Sequence, residues 1–197
     1  MGNMGRQDRY DYITKEIHKH KPSTILEIGT HIGLTARIMI ETAMVHKDDV
    51  FYYGFDMFDF MTEEIAVEEY HGKTLPTLQA ASKRLRDFPH KLKMGNTQKT
   101  LPRFKPDRPI DFVFIDGGHS VETIQTDCDN IKKLIHKDTI VIFDDYYNET
   151  EEIGCKPVVD CLGDEYVVEK LYTWERTEEE KRDEGVFDLT LVRVTLK

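Results

Sequence analysis

Residues 112–120 of the chain, FVFIDGGHS, lead from apolar, aromatic and β-branched side chains directly into a glycine-containing loop. A short run of this kind is typical of a buried strand that ends where the glycines begin. The strand therefore delivers a carboxylate, Asp116, and an imidazole, His119, to the same end of a sheet.

A second segment repeats this pattern, because residues 139–143, TIVIF, run into Asp144 and Asp145. Neighbouring parallel strands lie about 4.8 Å apart, so the carboxylates at their ends can converge on one cation. Without a cation, three clustered carboxylates would repel one another. Oxygen ligands favour Mg²⁺, or another divalent cation such as Ca²⁺ or Mn²⁺, and His119 then suits proton transfer better than metal binding. The simpler alternative is that Asp116 and Asp144 cap helices or turns and that His119 is a loop histidine.

The other segments alternate between strand and helix patterns. A leading helix is predicted over residues 8–20. Strands at 23–28 and 50–56 enclose a helix at 34–44, and in a βαβ unit of this kind the two strands are expected to be parallel. Later helices are predicted at 77–86, 120–135 and 155–162, and later strands at 92–94, 110–115, 139–143, 166–172 and 186–196. We therefore expect one α/β domain over residues 1–197, with a Rossmann-like, doubly wound, mostly parallel seven-stranded sheet closed by an antiparallel C-terminal strand pair.

Two segments fall outside this rhythm. Residues 57–75 are first aromatic and sulfur-rich and then acidic, and an insertion of this length after a strand predicts a lid or binding loop. Residues 175–185, between the last two strands, are so charged that we expect a solvated loop.

The composition limits the class of partner. A net charge of -10 argues against nucleic-acid and anionic-membrane surfaces, so a small molecule is the expected partner. With no apolar run approaching the length of a membrane span and no signal-peptide pattern, we expect a soluble, cytoplasmic protein. The three cysteines form no Cys-x-x-Cys pair and predict reduced thiols. The leading helix could serve a homo-oligomer.

A glycine-containing turn follows the first predicted strand. Gly29 and Gly33 flank the start of a helix, where free N–H groups and close backbone approach favour a ligand. Asp56 ends the next strand 23 residues after Gly33, near the spacing at which an acidic residue binds ribose hydroxyls. The pair predicts an adenosine-type ligand, against the simpler reading of a tight turn and a solvated aspartate.

Together these motifs resemble class I S-adenosylmethionine-dependent methyltransferases. The likeness is greatest to the small metal-dependent O-methyltransferases that include catechol-type and macrolide-sugar enzymes, and it spans about residues 23–147. The motifs that carry it are Glu27-x-Gly29-x-x-x-Gly33, Asp56, Met94-Gly95-Asn96, Asp116-Gly117-Gly118-His119-Ser120-x-Glu122 with Asp127, and Asp144-Asp145-Tyr146. His31 departs from the second glycine that many class I enzymes have, Val121 from a common tyrosine, and Asp145 from the Asn of catechol-type enzymes.

The resemblance implies a role for each motif. The implied cofactor-binding residues are Glu27, Gly29, Thr30, Gly33, Asp56, Met57, Gly95, Asn96 and Asp116. In that set Glu27 and the glycines would surround the amino-acid end of S-adenosylmethionine, Asp56 would hold the ribose and Asn96 would border the adenine. Asp116, Asp144 and Asp145 would bind the divalent metal, and His119 and Asp116 would be the catalytic residues.

The predicted function is therefore metal-dependent methyl transfer from S-adenosylmethionine to a hydroxyl of a small molecule, such as a sugar, a phenol or a vicinal diol. Tyr146, Tyr147, Phe58 and Phe60 either line the acceptor pocket or cover core edges. Two alternatives stay open. An NAD(P)-type oxidoreductase would use the same βαβ unit, although Gly-x-Gly-x-x-Gly is absent, and a non-catalytic binding protein could share the fold.

Overall fold

The computed structural model describes residues 4–69, 75–177 and 187–197. The strands are β1 Thr24–Ile28, β2 Phe51–Asp56, β3 His90–Met94, β4 Phe112–Ile115, β5 Ile140–Tyr147, β6 Tyr166–Trp174 and β7 Leu189–Leu196. The helices are α1 Met4–His20, α2 Leu34–Met44, α3 Glu63–Glu69, α4 Leu78–Leu85, α5 Thr97–Thr100, α6 Val121–Ile131 and α7 Lys156–Asp160. Short 3₁₀ turns lie at Phe58–Phe60 and Leu101–Arg103.

All seven strands form one sheet in the order β3-β2-β1-β4-β5-β7-β6. The first five strands in this order are parallel, and β7 pairs antiparallel with both β5 and β6. The predicted seven-stranded, mostly parallel sheet with an antiparallel C-terminal pair is therefore confirmed. The chain reverses its direction of travel across the sheet between β1 and β4, and open α/β sheets bind ligands outside the strand ends at such a point.

Helices cover both faces of the sheet, as a doubly wound fold requires. On one face α1 and α2 contribute buried side chains such as Ile17 and Met39, and on the other α6 and α7 contribute Ile124 and Val158. Because both faces are covered, the central strands are apolar on both sides, and every side chain of β4 is buried. This packing is why residues 112–115 form an uninterrupted apolar run.

The element bounds differ from the sequence predictions by a few residues. The leading helix begins at Met4, β3 begins at His90, and α6 ends at Ile131 rather than near residue 135. In the predicted insertion, a 3₁₀ turn and α3 are observed, while residues 70–74 lie outside the described residues. Residues 178–186, which hold most of the predicted charged loop and the start of the last predicted strand, also lie outside them. None of the described helices has the length and apolar character that a bilayer span requires.

Candidate active site

A cavity of about 280 Å³ lies at the carboxyl ends of β1, β2, β3 and β4. Six of the predicted cofactor residues line it, namely Gly29, Asp56, Met57, Gly95, Asn96 and Asp116. Ile65 and Glu69 of α3 also line the cavity, so the described part of the predicted lid forms one of its walls. Phe58 from the same segment is fully buried, which places it in the core rather than in an acceptor pocket.

The loop after β1 brings two strand ends into close contact. Gly29 has a positive φ of 92°, and a β-carbon there would lie 1.8 Å from the main-chain oxygen of Asp116. Only glycine tolerates both that backbone and that proximity. His31 also has a positive φ, 52°, and its N–H donates to Asp56 Oδ2 at 2.7 Å. The residue that departs from the family pattern therefore adopts the left-handed backbone that a glycine usually supplies.

Asp56 is held in place by backbone groups. Its Oδ1 accepts a hydrogen bond from the Phe58 N–H at 2.8 Å, in addition to the bond from His31 to Oδ2. Burial raises the pKa of Asp56, although these backbone hydrogen bonds oppose the rise. Each carboxylate oxygen can accept a further hydrogen bond, so an oriented acceptor faces the cavity.

Three predicted cofactor residues, Glu27, Thr30 and Gly33, are not part of the cavity lining. Glu27 is fully buried and accepts a hydrogen bond from the Tyr52 hydroxyl, which lies 3.0 Å from Thr30 Oγ1. Burial raises the pKa of Glu27 to about 8. Glu27 Oε1 has no hydrogen-bond partner among the described residues, so the predicted contact with a cofactor stays a prediction for this group.

The wall of the cavity beyond β3 contains a second buried carboxyl group. Asn96 Oδ1 accepts a hydrogen bond from the Gln98 N–H at 2.8 Å and starts α5, and Asp127 of α6 lines the same wall. Asp127 is 1% exposed, and burial raises its pKa to about 7. Asp127 Oδ1 has no partner within the described parts of the chain, which leaves an unused acceptor in the wall. Asp127 belongs to the motifs that carry the family resemblance, but the sequence predicted no role for it.

His119 and Asp145 form a pair beside the cavity. His119 Nε2 lies 3.1 Å from Asp145 Oδ2, and the Tyr147 hydroxyl donates to Asp145 Oδ1 at 2.8 Å. Burial lowers the pKa of His119, but the hydrogen bond and negative charge of Asp145 outweigh it, so the net pKa is raised. Burial would raise the pKa of Asp145, but its contacts, chiefly with His119, lower it overall. The pairing of an imidazole with a carboxylate is typical of a general base.

Asp145 reaches His119 through an irregularity in β5. The pairing register of β5 with β7 shifts between Phe143 and Tyr146, and Asp145 has a positive φ of 56°. Aspartate is among the residues that tolerate this conformation best. The bulge therefore aims consecutive carboxylates, Asp144 and Asp145, at different partners.

Asp144 pairs with a residue that the sequence analysis did not single out. Arg9 Nη1 of α1 lies 2.5 Å from Asp144 Oδ2, with the two side chains 14% and 0% exposed. Burial lowers the pKa of Arg9, but the charges of Asp144, Asp116 and Asp145 outweigh it and raise the pKa overall. Burial and the charge of Asp144 raise the pKa of Asp116. We call these three aspartates, with Arg9 and His119, the acidic centre.

The acidic centre does not fit the predicted divalent cation. Asp144 is engaged by Arg9 and Asp145 by His119, so two of the three predicted ligands already face a basic group. Among the described residues, no group of three or more His, Cys, Asp or Glu side chains is arranged to hold a metal ion. The Mg²⁺ site predicted at Asp116, Asp144 and Asp145 is therefore unsupported by this arrangement.

Two residues of the site, Arg9 and Glu69, escaped the sequence analysis. Arg9 lies four residues before Ile13, on the same face of α1 as the buried Ile13 and Ile17. A charged residue on the buried face of an amphipathic helix was the feature of the sequence that could have indicated a buried ion pair. Glu69 accepts hydrogen bonds from the Ser120 N–H and hydroxyl at 3.0 and 2.6 Å and from the Thr123 hydroxyl at 2.9 Å. Glu69 stands in an acidic run of the sequence, so the sequence did not distinguish it from its acidic neighbours or predict this contact between α3 and the start of α6.

Comparison with known proteins gives the family. A family model described as a methyltransferase domain matches residues 26–146, more than half of the chain. These residues contain the glycine loop, the cavity wall and all three aspartates of the acidic centre. No curated protein sequence matches the chain significantly.

Solved methyltransferases share the fold at low sequence identity. The O-methyltransferase TomG from Streptomyces achromogenes, involved in tomaymycin synthesis and solved with S-adenosylmethionine, has a TM-score of 0.69 and 14% identity, over 96% of this chain and 80% of that one. The O-methyltransferase from Bacillus cereus, in complex with S-adenosylhomocysteine, has a TM-score of 0.68 and 12% identity, over 96% and 81%. The N-methyltransferase NodS from Bradyrhizobium japonicum, also with S-adenosylhomocysteine, has a TM-score of 0.66 and 14% identity, over 98% and 88%. The fold is shared across these enzymes, and the match to the family model shows that this chain belongs to the methyltransferase domain family.

Proposed function

We propose that this protein transfers a methyl group from S-adenosylmethionine to a hydroxyl group of a small molecule. The observation that carries the proposal is the position of the cavity. Its wall contains the backbone-held Asp56 and the close Gly29–Asp116 contact, and the His119–Asp145 pair stands beside it. A binding site and a general base therefore meet at one end of the sheet.

The residues of the cavity fit S-adenosylmethionine. Asp56 offers acceptors for the ribose hydroxyls, and the unpartnered Asp127 Oδ1 suits the amino group of adenine. The unpartnered Glu27 Oε1, two residues before the cavity residue Gly29, suits the positively charged amino group of the amino-acid end. When bound, S-adenosylmethionine supplies an electrophilic methyl group on a sulfonium.

The His119–Asp145 pair favours a hydroxyl acceptor. A hydroxyl must lose its proton as it gains the methyl group, so a positioned base accelerates the transfer. An amine acceptor can attack through its lone pair before it loses a proton and gains less from a base. His119 would hold the proton at its imidazole, and Asp145, which touches it, would stabilise the resulting positive charge.

Metal dependence, which the sequence also predicts, is not part of this proposal. Arg9 and His119 already face the carboxylates of Asp144 and Asp145. Proton transfer at the acidic centre therefore depends on the chain's own residues.

The comparisons support methyl transfer over the oxidoreductase that the sequence left open. The family match favours a methyltransferase over an NAD(P)-type oxidoreductase. Two of the similar structures are described as O-methyltransferases, which agrees with a hydroxyl acceptor. A putative rRNA methylase from Clostridium thermocellum shares the fold with 12% identity, but the net charge of -10 disfavours an RNA acceptor here.

Calorimetry and a product assay test the proposal. The purified full chain should bind S-adenosylmethionine and S-adenosylhomocysteine but not NAD⁺. Incubation with S-adenosylmethionine and a panel of catechols, phenols and sugars should then release S-adenosylhomocysteine at a rate that depends on the acceptor. Binding of NAD⁺ alone would contradict the methyl donor, and release only with amines in the panel would contradict the hydroxyl acceptor.

A further inference from the structure

Arg9 brings a positive charge to the acidic centre from a distant part of the chain. Along α1 it stands one turn before Ile13 and two turns before Ile17, both of which are buried against the sheet. The helix therefore directs Arg9 along its buried stripe toward the end of β5. There its guanidinium meets a fully buried carboxylate oxygen of Asp144 at 2.5 Å.

The ion pair between Arg9 and Asp144 compensates a buried negative charge. Arg9 pairs with one of the three predicted metal ligands, Asp144, whose side chain is fully buried. An uncompensated buried carboxylate is strongly unfavourable, and a fixed cation removes that penalty. His119 supplies a second basic group at Asp145. Basic side chains of the protein itself thus face two of the three carboxylates of the acidic centre.

A divalent cation at this centre would have to displace Arg9. Mg²⁺ needs oxygen ligands at near-ideal octahedral positions, and the guanidinium occupies one of the two oxygens of Asp144. Displacement would leave Arg9, which is 14% exposed at its side chain, without its buried partner. Both changes oppose metal binding.

We propose that Arg9 takes the place that the sequence assigns to a divalent cation, so that the acidic centre of this protein works without a metal. Arg9 is then a positioning residue, which holds Asp144 and balances the charge beside the His119–Asp145 pair. The part of the inference that concerns catalysis rests on the proposed methyl transfer. The part that concerns metal binding stands on the ion pair alone.

Electron paramagnetic resonance of Mn²⁺ tests metal binding without any assay of activity. Chelator-treated wild-type protein should leave the signal of free Mn²⁺ unchanged. Arg9→Ala should bind one Mn²⁺ roughly tenfold more tightly than wild type, because the buried carboxylate of Asp144 then lacks its cation. The double variant Arg9→Ala with Asp144→Asn should lose that binding.

Two controls make the titration decisive. Arg37→Ala removes an exposed arginine that pairs with Glu41 on α2, and it should leave Mn²⁺ binding as in wild type. If circular dichroism shows that Arg9→Ala does not fold, Arg9→Gln removes the charge while keeping a long polar side chain. Wild-type binding that disappears in Asp144→Asn would overturn the proposal, as would failure of every folded Arg9 variant to bind Mn²⁺.

Activity in EDTA separates this inference from the proposed function. We expect release of S-adenosylhomocysteine to continue at an unchanged rate in EDTA, and its loss would overturn metal independence. If calorimetry detects no S-adenosylmethionine binding, the proposed function fails, while the Mn²⁺ titration still decides whether Arg9 excludes a metal. The two failures are therefore distinguishable.

Discussion

The cofactor cavity and the acidic centre adjoin at one edge of the sheet, yet they are built in different ways. Asp56 in the cavity is oriented by N–H groups of His31 and Phe58, both of which stand in loops that directly follow strands. The acidic centre is assembled by side-chain pairs between separate elements, such as Arg9 of α1 with Asp144 of β5. Backbone-built sites leave a local pattern in the sequence, whereas side-chain pairs across the fold do not.

The largest expected effect comes from the acidic centre. His119→Ala removes the proposed proton acceptor, and loss of a general base typically lowers the rate by about 10² to 10⁴. Binding of S-adenosylmethionine should stay close to wild type, because His119 does not line the cavity. Product release and calorimetry measure the two quantities. His136→Ala, whose ring lies 3.9 Å from Asp111, is the control. If His119→Ala lowered the affinity for S-adenosylmethionine as much as the rate, the acidic centre and the cavity would not act independently.

The second largest effect is expected on the pH dependence of stability, because Asp127 is a buried carboxyl group in the cavity wall. The pKa of Asp127 is raised from 3.8 to about 7, so its contribution to stability is full below pH 3.8 and is lost as the pH rises through 7. At about 1.4 kcal/mol for each pH unit, Asp127→Asn should gain up to about 4 kcal/mol over wild type between pH 4 and 8.

Urea unfolding of both proteins at the two pH values measures this difference. Asp129→Asn, an exposed substitution on the same helix, should show little change between pH 4 and 8. A gain for Asp127→Asn that does not vary with pH would argue against burial of a neutral carboxyl group.

A smaller effect is expected for Asp56, the residue predicted to bind the ribose hydroxyls. Asp56→Ala leaves the N–H groups of His31 and Phe58 without their acceptor and removes the predicted ligand of the hydroxyls. Loss of such hydrogen bonds costs about 1 to 3 kcal/mol, so the dissociation constant for S-adenosylmethionine should rise about 5- to 150-fold. Calorimetry measures it, and the matched control is Asp59→Ala, which removes the acceptor of a hydrogen bond from the Leu78 N–H. Unchanged affinity in Asp56→Ala would remove Asp56 from the cofactor site.

The smallest expected effect is a shift of the pH profile. The proposed base, His119, can accept a proton only when it is neutral, so the rate should rise as the pH passes its raised pKa, above 6.5. Asp145→Asn removes the charge that raises this pKa, and the rising limb should move to lower pH. Initial rates measured from pH 5 to 9 test the shift. A limb that stays in place would mean that another group titrates, and Glu152→Gln controls for loss of a nearby exposed charge.

The sequence predicted the sheet, the glycine loop and the strand-end positions of Asp56, Asp116 and His119, because each follows from apolar runs that end at glycine or aspartate. It did not predict Arg9, since helical spacing shows which face of α1 is buried but not which strand end that face meets. It also missed Glu69, because hydrogen bonds to Ser120 and Thr123 depend on how the insertion folds back. The metal site predicted at Asp116, Asp144 and Asp145 likewise left Arg9 out of account, because a local pattern cannot show a guanidinium that comes from a distant helix.

Gly29 links the two regions. Because a β-carbon at this position would lie 1.8 Å from the Asp116 oxygen, the ends of β1 and β4 touch through backbone atoms. The separation between the carboxyl ends of β1 and β4 is therefore set by backbone packing. An evolving enzyme of this architecture could change its acceptor by altering the lid or the tyrosines while this contact between strand ends stayed constant. The acceptor specificity of such an enzyme could therefore change without a change in the packing of the strand ends.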